Sequence, residues 1–451
     1  VRAVTLTTVP RYAGSRTPQL GAHAVVVGAG VAGLSAACVL ADGFDTVTVV
    51  DRDTLPDDPV ARRGVPQSGH IHVLLVAGQV TLDDLCPGFG ADVLASGGAL
   101  IDGTRDVCFY AEGGRLADGP RRVPLYCATR PLYERTLRRH VAAFDGVRIR
   151  SNCRVTDYLL DETETTVAGV AIHDETGRDE LAADLVVDAT GRTSRTPTWL
   201  DAHGYTPPAV DEVTVDLTYS TAFVRRPADD RRAFVVTPSP PEARGIGMLP
   251  VEDDRWLMTV FGVHGDTSPA DASGVVDFAA NLPIPEPARI LDDHPLADGS
   301  VSRYRFASNR RYRYERLERF PDNLVVVGDA LASFNPIYAQ GMSVAALDAL
   351  HLHHALSAGG REDLAARFFD RAAETVDLAW NMAVGADHRF PDTKGPKPRG
   401  VGVLNRYLAR LLRRAHTDGV LADAFFRVQM MERPPTSLFR PGIVWRVLRP
   451  G

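Results

Sequence analysis

The residues most ready to do chemistry are three glycines and an acid: Gly28, Gly30 and Gly33 in the run Gly28-Ala29-Gly30-Val31-Ala32-Gly33, then Asp51. Each glycine in such a run serves a mechanical purpose, namely a tight turn, close approach of backbone to a pyrophosphate, or close helix–strand packing. A helix starting there directs free N–H groups and its partial positive charge at phosphate oxygens. About twenty residues further on, Asp51 stands where a carboxylate accepts hydrogen bonds from an adenosine ribose. A carboxylate in that position favours a ribose without a 2′-phosphate, hence FAD or NAD rather than NADP. The glycine run does not choose between those two.

The elements that must position these groups are legible around them. Ala22-His23-Ala24-Val25-Val26-Val27 is a continuous, β-branched apolar run, as expected of a parallel strand buried on both faces. Small residues from Leu34 to Leu40 suit a closely packed helix, and Thr46 to Asp51 reads as the next strand, completing a βαβ unit. From about Thr214 to Val263 the pattern changes to period-two alternation, as in Trp256-Leu257-Met258-Thr259-Val260-Phe261, broken by Pro238, Pro240, Pro241 and Gly245. An antiparallel sheet and a second domain are expected there. Asn323-Leu324-Val325-Val326-Val327 returns as a buried strand, and helices dominate beyond Glu362. The fold class expected is α/β in a two-domain α+β arrangement: a Rossmann-like nucleotide domain with a parallel sheet (residues 22–80, 125–200 and 320–360), an antiparallel-sheet substrate domain (81–124 and 201–319) and a C-terminal helical region (361–451). Residues 1–21 read as a ragged leader without the apolar run of a signal peptide.

Composition narrows the classes of partner. A formal net charge of −7 disfavours nucleic acid and anionic membrane surfaces. No segment approaches the roughly 20 apolar residues needed to span a bilayer, so no integral membrane association is expected. Cys38, Cys86, Cys108, Cys127 and Cys153 are scattered without metal-ligand spacing, which fits a reducing cytoplasm. His70 and His72 are spaced to share one face of a strand, but no third ligand accompanies them and no metal site is expected. His351, His353 and His354 read as helix-surface or capping residues.

A second motif resolves the choice of nucleotide. Gly328-Asp329-Ala330 closes the strand at Val327, and Asn335-Pro336 and Gln340-Gly341-Met342 lead into a helix. This segment resembles the flavin-contacting region of the para-hydroxybenzoate-hydroxylase-like flavoproteins, the group A flavin monooxygenases. The resemblance implies FAD, with Asp329 hydrogen-bonding the ribityl chain and the peptides around Gly341 and Met342 beside the flavin ring. Asp184 to Arg195 is similar to the family's middle motif, except that Ala189 and Thr190 separate Asp188 from Gly191. That departure puts the nicotinamide contact of the motif in doubt. Arg130 falls where the family places an arginine reaching FAD. Arg52, Arg63 and Pro336 complete the expected cofactor set.

Arg62 to Leu74, Phe334 to Tyr338 and Gly341-Met342-Ser343 also resemble bacterial epoxidases acting on polyketide polyenes, the lasalocid and monensin types, over about Ala24 to Asn381. The resemblance implies reduction of FAD by NADPH or NADH, then reaction of dioxygen at flavin C4a to a hydroperoxide whose distal oxygen is attacked by an alkene. A small apolar alkene-containing substrate of polyketide or terpenoid origin, in secondary metabolism such as antibiotic biosynthesis, would be expected. The chemistry is flavin-borne, so no catalytic side chain is nominated. Met248, Trp256, Met258, Phe261, Phe334 and Tyr338 are expected to line the substrate pocket. Three other readings share the fold. A halogenase is disfavoured, since no lysine precedes Lys394 and no Trp-x-Trp-x-Ile-Pro motif occurs. A [4+2] cyclase using FAD structurally, and a polyprenyl reductase or dehydrogenase, remain alternatives.

Overall fold

The computed structural model describes residues 5–449; the expectation for residues 1–4 lies outside them. Five parallel strands form the nucleotide sheet, in the order Leu324–Val326, Leu185–Asp188, Gly21–Val27, Phe44–Val50 and Val147–Arg150. The chain moves outward from Gly21–Val27 in one direction, then returns to build on its other edge. This reversal leaves a crevice at the carboxyl ends of the central strands, where ligands bind in open α/β sheets. All three glycine-rich motifs emerge at that end.

The helix Val31–Leu40 is buried on nearly all sides, which its small and apolar residues permit. It packs against the sheet and the long helix Gly341–Gly359. Val25, Val26, Leu34, Val186, Val325 and Ala346 share the resulting core.

A separate eight-stranded sheet carries the period-two segment. Its central strands, Ser302–Tyr312, Val210–Arg225, Arg255–Gly262 and Arg244–Val251, pair antiparallel. Ala233–Val236 and Val107–Ala111 extend the sheet through one parallel pair. One face of this sheet is covered by the helices Ala272–Ala280 and Glu286–Asp293, and the other looks toward the nucleotide sheet's crevice.

Two expectations are corrected here. The leader is built into the fold over its described part: Leu6 and Thr7 donate to the carbonyls of Met431 and Glu432, and the Tyr12 ring lies 4.7 Å from that of His353. His351 and His353 are buried rather than on a helix surface, because Gly341–Gly359 is enclosed by neighbouring helices; His351 Nε2 meets the Thr375 hydroxyl at 2.8 Å. Among the described residues no helix is long and apolar enough to cross a membrane, and no three His, Cys, Asp or Glu side chains converge to hold a metal.

Candidate functional site

The three motifs are locked together by contacts that exclude side chains. A Cβ on Gly28, which has φ +109°, would lie 2.6 Å from the Ala189 carbonyl oxygen. A Cβ on Gly33 would lie 1.9 Å from the Gly28 oxygen, and one on Gly328 would lie 2.6 Å from the Ala32 Cβ. Gly30 differs, since a Cβ there would meet no atom within 4 Å. Its place at the N-terminus of a helix with no side-chain cap therefore faces open space. That is the geometry of a phosphate cradle.

The open space is a cavity of about 670 Å³, within the range of small-molecule sites. Gly28, Gly30, Asp51, Arg52, Arg63 and Arg130 line one part of it, and Asp329, Pro336, Gly341 and Met342 another. Gly33 stands behind the cradle as packing. Thus the structure gathers the expected cofactor residues around one cavity, although they are spread over about 300 positions of sequence.

Local electrostatics hold the acids in place. Asp51 Oδ2 accepts from the Ala29 N–H at 2.7 Å and from Arg62 at 3.3 Å, while Oδ1 accepts from the Asp53 N–H. The buried Arg62 also bonds Glu134 at 2.9 Å, and Glu134 accepts from Arg130 Nε at 2.7 Å. Burial opposes the Glu134 charge, yet Arg130 and Arg62 together hold its carboxyl below the usual range. Sequence alone does not distinguish Arg62 from its neighbour. Arg63, the residue expected near the cofactor, is exposed at the rim, with no ion-pair partner among the described residues. Burial pushes the Asp329 carboxyl up, against the pull of Arg130 and Arg192.

The second helix N-terminus, at Gly341, also lacks a side-chain cap. Beside it Gln340 is buried, lines the cavity, and leaves both amide atoms without a partner among the described residues. An orphaned amide is costly unless a ligand satisfies it. Two uncapped helix ends, an open glycine, two cavity-facing acids and this amide fit the pyrophosphate, ribose and polar ring edge of FAD. Asp188 of the middle motif instead turns inward, accepting from Thr190, Ser194 and Thr196, while Arg192 and Arg195 face the cavity.

The loop before Gly341 is anchored by a C-terminal helix, Leu364–Asp387. Asp387 accepts from Asn309 Nδ2, Asn335 Nδ2 and the Tyr338 hydroxyl, each at 2.8 Å. Burial raises its pKa to about 6 despite those donors. Tyr338 is thereby drawn away from the cavity rather than lining it. Met248, Trp256 and Met258 also miss the cavity, because they lie on the sheet face covered by Phe278, Ile290 and Leu291. Strand parity is the cause: positions 256 and 258 point opposite to 261. Phe261 and Phe334 do line the cavity, joined by Tyr219, Tyr304 and Phe306, which the sequence does not single out.

Comparison with known proteins agrees with this geometry. Residues 22–381 match the family model described as FAD binding domain. Protein Rv3254 of Mycobacterium tuberculosis is 37% identical over 423 residues, covering 90% of this chain and 88% of that protein. The flavin-dependent brominase Bmp2 superposes with a TM-score of 0.62 at 16% identity, covering 94% of this chain and 97% of the other. For p-nitrophenol 4-monooxygenase PnpA of Pseudomonas putida the TM-score is 0.61 at 17% identity, covering 92% and 99%. The chain therefore belongs to the FAD binding domain family, with the fold of the para-hydroxybenzoate-hydroxylase-like flavin monooxygenases, and is an FAD-dependent oxidoreductase.

Proposed function

We propose that this protein is a cytoplasmic FAD-dependent monooxygenase that takes electrons from NADPH or NADH, consumes dioxygen and epoxidises an alkene of an apolar polyketide or terpenoid intermediate in secondary metabolism. The observation that carries the reading is the continuity of the cavity. It runs from the phosphate cradle at Gly30, past the Gly341 helix end, to an apolar wall that includes Ile246, Leu249, Phe261 and Phe306. FAD, when bound, supplies electron transfer and the activation of dioxygen. The chain's own work is to seat that group, hold the alkene near it and keep water out.

Gly28, Gly30 and the N-terminus of Val31–Leu40 would receive the pyrophosphate, Asp51 the adenosine ribose and Asp329 the ribityl chain. The Gly341 helix end would place partial positive charge beside the ring, where negative charge develops on reduction. Phe261, Phe306 and Phe334 would exclude water from the reacting face.

The test is anaerobic mixing of holoprotein with NADPH and with NADH, followed by oxygen. Bleaching of the flavin, then oxygen-dependent return of colour with an oxygen atom incorporated into a polyene substrate, is the expected result. A flavin that stays oxidised with both donors, with and without polyene, would overturn the reading and leave a structural-flavin cyclase in its place.

A further inference from the structure

The cavity's apolar wall contains one polar pole that the cofactor reading does not use. In the strand register Tyr304 pairs with Tyr219, and Tyr219 pairs with Phe261, so these three rings form one cavity-facing row. Two residues further along, Thr221 pairs with Thr259 in the next row on the same face. His70 enters above both rows: its ring lies 4.5 Å from Tyr219 and 5.9 Å from Tyr304, and its Nδ1 meets the Thr221 hydroxyl at 2.7 Å.

The local hydrogen bonds fix the tautomer. Thr259 Oγ1 accepts from the Ile71 N–H and lies 2.6 Å from Thr221 Oγ1. Were His70 Nδ1 to donate, Thr221 would donate to Thr259, and the buried Thr259 hydroxyl proton would have no acceptor among the described residues. The reverse chain leaves neither threonine proton unpaired: Thr259 donates to Thr221, and Thr221 donates to His70 Nδ1. The proton of the neutral imidazole then sits on Nε2, which has no protein partner among the described residues and opens onto the cavity. Burial lowers the His70 pKa to about 4, so the ring stays neutral at physiological pH. The hydroxyls of Tyr219 and Tyr304 are likewise without a protein partner among the described residues, and both residues line the cavity.

We propose that His70, Tyr219 and Tyr304 form a hydrogen-bonding pole for an acceptor oxygen of the substrate, a ketone or similar carbonyl, and so select oxygenated polyenes over pure hydrocarbons. The inference rests on the apolar-alkene reading above and makes it more specific, toward polyketide-like rather than hydrocarbon substrates. His70 is a positioning residue here, and it neither gains nor loses a proton.

Two probes of similar carbon skeleton test it: farnesylacetone, a polyene ketone, and the hydrocarbon β-farnesene, each titrated into holoprotein and read by the flavin difference spectrum. One net hydrogen bond corresponds to roughly a 2- to 12-fold change in affinity, so the ketone should bind the wild-type protein about tenfold tighter. His70→Leu should erase that preference while leaving β-farnesene binding and flavin content unchanged. His70→Gln, which keeps an amide donor near the Nε2 position, should restore much of it, and Tyr219→Phe should weaken the ketone alone by several-fold. A wild-type protein that responds to neither probe, or to both equally, overturns the proposal, as does a preference untouched by His70→Leu. Failure of the monooxygenase reading is distinguishable, because it appears as an unreduced flavin with the ketone preference intact.

Discussion

Gly30 and Gly33 are three positions apart in one motif, yet their substitution should fail in different ways. A Cβ at Gly30 enters open cavity, touching nothing within 4 Å, and the residue's φ of −80° suits any amino acid. Gly30→Ala should therefore cost the apoprotein only about 0.5–1 kcal/mol, through the weaker helix-capping preference of alanine. The same methyl occupies the phosphate cradle. Displacing the pyrophosphate from two backbone donors at about 1.5–3 kcal/mol each should weaken FAD binding by at least about a hundredfold. At Gly33 the added Cβ would lie 1.9 Å from the Gly28 carbonyl oxygen, and the helix cannot yield without parting from the strand it packs on. Gly33→Ala should cost the apoprotein several kcal/mol and lose FAD as a consequence. The assays are flavin content on purification and thermal melting of deflavinated protein. If Gly30→Ala retained full flavin, or melted as low as Gly33→Ala, the placement of the pyrophosphate at this helix end would be wrong.

Three further outcomes follow from the same geometry. Asp329→Ala should purify with much less FAD while melting near the wild-type apoprotein, since its carboxylate faces the cavity and burial already disfavours its charge; a fully yellow variant would refute its role. Arg62→Leu should destabilise by about 3 kcal/mol, the low end for breaking a buried ion pair, because Glu134 would keep only Arg130 and Asp51 only its backbone donors; denaturant unfolding checks this, and a change under about 1 kcal/mol would show the cluster to be solvated. Asp387 has a folded pKa raised to about 6, so the folded state binds its proton more tightly than the unfolded state. Its contribution to stability must therefore fall as pH rises from the unfolded value near 4 through 6, by about 1.4 kcal/mol between about pH 5 and 7.5. Asp387→Asn lacks that titration, so the stability difference between variant and wild type should shift by about 1.4 kcal/mol in the variant's favour between about pH 5 and 7.5, and melting curves that stay parallel across those pH values would contradict it.

How much of this site could be read in advance depended on whether the deciding contact was local. Gly28, Gly30, Asp51 and Gly341 sit at strand ends and helix starts, so backbone mechanics alone give each of them a purpose. Arg62 and Arg63 have identical chemistry side by side, and only the fold turns Arg62 toward Glu134, 72 positions away. Tyr338 has the composition of a cavity residue, but Asp387, from a helix to which the sequence assigns no role, draws its hydroxyl inward.

The antiparallel sheet shows the boundary most clearly. Alternation already requires that Trp256 and Met258 face opposite to Phe261, so the three could never line one pocket together. What alternation does not say is which face meets the cofactor. The covering helix Ala272–Ala280 could have said so: Val275, Phe278 and Ala279 recur at helical spacing and need a broad apolar surface to bury against. The face bearing Met248, Trp256 and Met258 is that surface. By elimination the cavity face is the one bearing Tyr219, Thr221, Thr259 and Phe261, an aromatic row beside a pair of hydroxyls. A face that needs only burial has no use for two threonines and an unpaired tyrosine hydroxyl, which is why the polar content of this wall, more than its apolar content, points to what the cavity holds.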